Sequence, residues 1–167
     1  IDITFNLSLN TLDGLQKLES VDYLNIFECN ELINFTGLNN LQNVNQFICT
    51  ANPSLLNMHG LERLKTVTGT LQIESNSSLN DLSGIDSLST ANDILIYDNN
   101  NLTTFWVNNC LKNITNSLRI TSNSSLVSIS GLENLEYIAQ DLSFLSNQNL
   151  SVLNAFGSLH KVGGNIE

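Results

Sequence analysis

The sequence predicts a right-handed β-solenoid of about seven coils of 23–24 residues, with one short parallel strand per coil and helical or irregular arcs between strands. Three observations carry this reading. First, apolar residues recur as anchors at Ile1, Leu24, Phe47, Leu71, Ile94, Leu118, Leu142 and Ile166, at intervals of 23 or 24 residues. A fixed period in this range belongs to stacked units, each burying its apolar face only against its neighbours. Second, another apolar side chain stands two residues past each of the first seven anchors, the period of a strand whose alternate residues point inward. Third, the residue five past each of those anchors is Asn six times and Cys once.

Taken in order, coil one opens on Ile1 and Ile3, turns at Asn6, returns inward at Leu9, and continues through Leu12, Gly14-Leu15, Leu18 and Val21. Those three-residue steps suit a helical or 3₁₀ turn, or an irregular arc, against the strand layer. Coil two has Leu24, Ile26 and Leu32, with Cys29 in the Asn place; coil three has Phe47, Cys49, Asn52 and Leu55. Coil four has Leu71, Ile73, Asn76 and Leu79. Coil five has Ile94, Ile96, Asn99 and Leu102, then breaks pattern with Val107-Asn108 where other coils have Gly-Leu. Coil six restores the rule with Leu118, Ile120, Asn123, Leu126, Ile129 and Gly131-Leu132, and coil seven has Leu142, Phe144, Asn147 and Leu150. An inward Asn at a tight bend donates and accepts along the stack, satisfying turn backbone groups that would otherwise be buried unpaired.

The step L-x-x-L-x-L-x-x-N/C-x-L resembles the leucine-rich repeat. Gly60-Leu61-Glu62-Arg63-Leu64 leading into Leu71-Gln72-Ile73, and Ser130-Gly131-Leu132-Glu133-Asn134-Leu135 leading into Tyr137-Ile138, are similar to the receptor L domain. That family includes the ligand-binding L domains of insulin and epidermal growth factor receptors, and similar repeats occur in fungal wall proteins anchored by lipid. The resemblance covers the whole chain and implies an extracellular, ligand-binding or cell-surface role.

At 167 residues and 41% hydrophobic, the chain supports one continuous core, read as a single domain over 1–167. Six Lys and Arg stand against 16 Asp and Glu, a formal charge of −10 that disfavours nucleic acid as a partner. No apolar run reaches the roughly 18 residues needed to cross a bilayer. Both termini fall on strand positions, so neither end is expected to carry a polar cap. Ile1, Ile3 and Ile166 are then expected assembly ends, meeting either flanking coils or another copy stacked head to tail.

Sequons occur at Asn6, Asn34, Asn76, Asn101, Asn113, Asn123 and Asn149. Asn6, Asn76 and Asn123 belong to the inward column and are discounted if that column is buried. Asn34, Asn101, Asn113 and Asn149 fall on outward arcs and are the expected N-glycan sites, placing the chain on a secretory route to the cell surface or beyond. Cys29 and Cys49 read as core thiols, out of register for a bridge, and Cys110 as an exposed one.

Catalytic, cofactor and metal motifs are missing. His59 and His160 occupy unrelated repeat positions, and the outward carboxylates and base, chiefly Asp2, Glu74 and Arg119, are too scattered for a hydrolase cleft. The outward strand face is richer in binding chemistry, presenting Phe27, Ile48, Leu95, Tyr97 and Leu145, with Trp106 on a neighbouring arc. The expected protein is thus non-enzymatic and extracellular, either a glycosylated structural or adhesive element that stacks on copies of itself, or a ligand-binding receptor ectodomain whose partner is a protein.

Overall fold

A computed structural model describes residues 1–167 as thirteen short β-strands and no helix. The strands are β1 (Asp2–Thr4), β2 (Ser20–Phe27), β3 (Asn43–Thr50), β4 (Thr66–Glu74), β5 (Thr90–Tyr97), β6 (Thr104–Trp106), β7 (Asn113–Ile114) and β8 (Leu118–Thr121). They continue with β9 (Ser128–Ser130), β10 (Tyr137–Ile138), β11 (Leu142–Ser143), β12 (Val152–Leu153) and β13 (Lys161–Val162). Every pairing is parallel, and the register links each anchor to the next: Leu24 to Phe47, Phe47 to Leu71, Leu71 to Ile94, Ile94 to Leu118 and Leu118 to Leu142, with a last bridge from Leu142 to Ile166. The fold is a β-solenoid with the coil length the anchors predict.

Two features differ from the expected architecture. In coils two to five the strand is eight or nine residues long and takes in the preceding apolar position, for example Val21 as well as Leu24 and Ile26. From coil six it divides, with β7 and β10 on one segment and β8 and β11 on the other; the four-residue spacing from Ile114 to Leu118 and from Ile138 to Leu142 also occurs between Val67 and Leu71, where β4 accommodates it unbroken. A second, three-stranded sheet of β6, β9 and β12 forms on the arcs of the later coils, so these coils carry more than one strand. The remaining arcs are not helical. Their three-residue steps are successive turns in which Leu15 N–H donates to Leu12 O and Leu18 N–H to Leu15 O, with the same bonds at Leu38 and Leu41 and at Leu61 and Leu64.

One core of 39 buried residues runs the length of the stack. It is closed at one corner by the Asn column. Asn52, Asn76, Asn99 and Asn123 are fully buried, and each bonds both along the stack and back to the preceding strand. The Asn76 Oδ1 accepts the Asn52 N–H at 3.0 Å, Asn99 Oδ1 the Asn76 N–H at 3.0 Å, and Asn123 Oδ1 the Asn99 N–H at 3.0 Å. The Nδ2 groups donate back to the previous strand, Asn76 to Cys49 O, Asn99 to Ile73 O and Asn123 to Ile96 O. They also donate within the coil, Asn99 to Tyr97 O and Asn123 to Thr121 O. The residue before each column position has positive φ, from Phe5 at 56° through Ala51, Ser75 and Asp98 to Ser146 at 60°, a left-handed bend costly for a side chain with a Cβ. The ladder holds that bend. Asn147 is half-buried and Asn6 exposed, because the outermost coils are covered on one side only.

Cys29 fills the column in coil two and supplies less. Its N–H still donates to Asn52 Oδ1 at 2.9 Å, but its thiol lies 3.6 Å from Ile3 O and 3.8 Å from Phe27 O, long contacts where other coils have amide bonds.

Replacing Asn99 with Ala removes the acceptor of Asn76 N–H and the donor to Ile73 O and Tyr97 O. At about 1–3 kcal/mol per buried orphan, the expected loss is about 3 kcal/mol or more. Cys29→Asn restores the amide and is expected to add about 1 kcal/mol. Urea unfolding followed by circular dichroism checks both signs, and an Asn99→Ala midpoint equal to wild type would show that the ladder is not what closes the corner.

Candidate functional site

The strands are forced into one register by the core, so their outward residues line up as columns about 4.8 Å apart. One column reads Asp2, Asn25, Ile48, Gln72, Leu95 and Arg119, and ends at the buried Ser143. The next reads Thr4, Phe27, Thr50, Glu74, Tyr97 and Thr121, and Leu145 continues it. The structure therefore brings Phe27, Ile48, Leu95, Tyr97 and Leu145 onto one sheet face. Phe27, Ile48, Leu95 and Tyr97 are half-buried by their neighbours in the columns, while Leu145 is 51% exposed. Phe27 is steadied by Phe5, whose ring meets it edge-on at 5.1 Å.

Trp106 is not on this face. It lies on β6 in the second sheet, 44% exposed, beside Ser130 of β9. Its coil is the one with the broken Gly-Leu rule, and the core is filled differently there from what the alignment of letters implies. Val107, standing in the Gly place, is buried, whereas Asn108 is exposed and Asn109 takes φ 51°. Gly131 of the next coil packs directly against the Val107 backbone. A Cβ on Gly131 would sit 1.6 Å from Val107 O.

The face is hydrogen-bonded and charged as well as apolar. Gln72 Nε2 donates to Glu74 Oε2 at 2.6 Å. Asp93 accepts from Asn116 Nδ2 at 2.8 Å and from Ser117 N–H at 3.2 Å. Arg119 Nη2 meets Asp141 Oδ2 at 2.6 Å, which raises the guanidinium further; the Asn165 N–H and then Arg119 hold the Asp141 carboxyl below its ordinary value. Burial pushes the Tyr97 phenol up, Arg119 opposes it, and Asp93 and Glu74 add to the rise. As Asp141 is depressed, its contribution to stability is present above the ordinary carboxylate value and is lost as pH falls through that range.

Asp2, Glu74 and Arg119 fall in different coils and do not converge on a cleft. His59 is exposed against Glu62 at 3.3 Å, and His160 is exposed in coil seven. No three His, Cys, Asp or Glu side chains gather where a metal ion would sit. The largest depression, about 480 Å³, is an open one at the first coil lined by Phe5, Asn6, Leu7, Ser8 and Leu9; another of about 430 Å³ is an open polar dip lined by Ser20, Asp22, Asn43, Asn45, Thr66 and Thr68 at the starts of β2 to β4. No helix is long and apolar enough to cross a membrane.

Among the expected glycan sites, Asn101, Asn113 and Asn149 are exposed and Asn34 is half-buried. Asn34 Oδ1 accepts the Thr36 N–H at 3.0 Å, and Asn149 Nδ2 donates to Ser124 O at 2.9 Å. None of the four lies in the two outward columns. Of the three discounted sequons, Asn76 and Asn123 are buried but Asn6 is exposed, so burial removes only two. Of the expected assembly ends, Ile1 and Ile166 are 39% and 70% exposed, and Ile3 pairs with Ile26.

One regular feature went unread in the sequence. The side chain two residues after each turn Gly accepts its N–H: Gln16 for Gly14, Asn39 for Gly37, Glu62 for Gly60, Asp86 for Gly84 and Glu133 for Gly131. The signal was available, since all five residues bear a side-chain carbonyl or carboxylate oxygen. Glu133 is held below its ordinary value chiefly by Gly131 N–H; for Glu62, burial pushes upward but Gly60 N–H, its own N–H and His59 outweigh it.

Residues 50–128, from the last residue of β3 to the first of β9, match the family model of the receptor L domain. The resemblance read from the repeat is shown for that central stretch, a solenoid of the receptor L-domain kind; such domains are non-catalytic and typically belong to extracellular receptor ectodomains. No curated protein matches the chain, and no solved structure does.

Burial raises the Cys29 thiol and pushes Cys49 up to about 12, so neither forms thiolate near neutrality. Iodoacetamide on the native chain, read by intact mass, is expected to modify Cys110 alone, with all three cysteines reacting after unfolding. Rapid native labelling of Cys49 would contradict the described core.

Proposed function

We propose that the chain is a non-catalytic, extracellular protein-binding module that recognises its partner on the face of Phe27, Ile48, Leu95, Tyr97 and Leu145. The observation that carries this reading is the alignment of those apolar and aromatic side chains in two adjacent columns of a sheet whose register the core fixes. Such a surface is rigid before binding, so little ordering cost attends docking. Aromatic side chains on it are the usual anchors of a protein contact. The match to the receptor L domain supports the same class. The sequon positions agree with it, since glycans on Asn101, Asn113 and Asn149 would project from other parts of the surface.

A structural or adhesive role through stacking of copies is the second reading. It draws on the sameness of successive coil contacts, each a parallel pairing that joins anchor to anchor, with an Asn Oδ1 accepting the N–H of the preceding column residue. Sedimentation of the glycosylated chain over a wide concentration range tests it, and a well-folded monomer throughout would reject it.

For the binding reading, a photo-crosslinking residue at Leu95 on the secreted chain is expected to capture a protein at the cell surface, and adding Tyr97→Ser and Leu145→Ser to abolish capture without changing the circular dichroism. The same crosslinker at Ile33, an exposed arc position, is the control. Equal capture from both positions would reject the face. Peptide mapping of the same material is expected to find glycan on Asn101 and none on Asn76.

A further inference from the structure

The cations and anions of this chain are not mixed evenly over its surface. Four of the six Lys and Arg lie outside the strands, Lys17 and Arg63 on arcs and Lys65 and Lys112 just before strands, while Lys161 is on β13 at the end of the sheet, over the Tyr137 ring and outside the two apolar columns. The sixth, Arg119, is on the face but is taken up by Asp141 at 2.6 Å. Around the apolar columns stand carboxylates with no cation. Glu28 follows Phe27, Glu74 sits beside Tyr97 in the same column, Asp98 follows Tyr97, and Asp93 lies two residues before Leu95. None of the four is in a salt bridge.

This pattern decides between occupants. A second copy, also at −10, would bring carboxylates against carboxylates, and an anionic polymer or membrane headgroup would meet the same repulsion. A wholly apolar partner would bury the rim carboxylates without pairing them, at a desolvation cost. A segment with cations beside its apolar side chains both fills the columns and pairs the rim. Resting on the binding reading above, we propose that the face of Phe27, Ile48, Leu95 and Tyr97 accepts a basic protein segment, with apolar side chains packed on those four residues and Lys or Arg paired to Glu28, Glu74 and Asp98.

The test uses the full chain and two synthetic peptides of equal length and equal leucine content, one carrying lysines and the other glutamates, followed by amide shifts in heteronuclear NMR. The lysine peptide is expected to shift residues of β2 to β5 and β8, with affinity falling about fivefold or more between about 50 mM and 300 mM salt. The variant E28Q/E74Q/D98N, all at outward or corner positions, is expected to lose a similar factor while keeping its amide fingerprint. The salt series on the unaltered chain stands even if that variant folds poorly. Equal binding of both peptides on the face would overturn the basic partner and leave the binding face intact. Shifts spread evenly to arc carboxylates such as Glu31 and Glu136, or no binding at all, would overturn the proposal, and the crosslinking result then judges the face separately.

Discussion

The rest of this structure depends on the hydrogen bonds of one buried side chain repeated from coil to coil. A solenoid corner must turn sharply, and in doing so it points backbone N–H and C=O groups into the core, where an unpaired polar group is costly. The amide of Asn has one acceptor and two donors, matching the needs of the bend: an N–H from the preceding column residue, a carbonyl in the preceding strand, and a carbonyl two residues back. Asp has no donor and Leu has neither. Because every bond but one of this set crosses to the previous coil, the ladder fixes both the bend and the register, and the register fixes which side chains share a column.

Backbone strain follows the same division. At the ladder corner the left-handed residue is not Gly but Phe5, Glu28, Ala51, Ser75, Asp98, Ser122 or Ser146, since the bonds of the neighbouring column residue hold the bend. On the arc the requirement is different. Gly60 has φ 103°, and a Cβ there would lie 2.1 Å from Phe35 O, so the previous coil's backbone excludes any side chain. The two corners are thus closed by different physics, a side-chain bond in one and close backbone approach in the other.

The fold was legible because the inward columns are constrained in size and polarity by both neighbours, which leaves the same letters at the same spacing. The strand register, the Asn column and the burial of Cys29 and Cys49 all follow from that. What was not legible is where the spacing stays the same but the backbone does not. The letters around Val107 and Asn108 align with Gly-Leu, yet it is Val107 that is buried and Asn108 that is exposed, with Gly131 packed against Val107 O. The second sheet of β6, β9 and β12 has three-residue steps like the other arcs, so no period distinguishes its strands. The exposure of Asn6 depends on what lies above a coil, which no local pattern records. Within the candidate site, the alternation placed Phe27, Ile48, Leu95, Tyr97 and Leu145 on one face and Trp106 on a neighbouring arc, but not the second sheet to which Trp106 belongs.

A stack built this way leaves little freedom for chemistry except on its outward columns. Inward positions admit only apolar side chains and Asn, the arc admits Gly, and the residue two beyond it must carry an acceptor for the Gly N–H. The column from Asn25 to Arg119 obeys none of these rules and changes character at each step, from amide to aliphatic to cation. Its neighbours are just as varied, running from Phe27 through Thr50 and Glu74 to Tyr97. Variation on this rigid face, with carboxylates placed beside aromatic rings, has no account in the packing of the core. The proposed basic partner would supply one, and Arg119, the cation within those two columns, is held by Asp141.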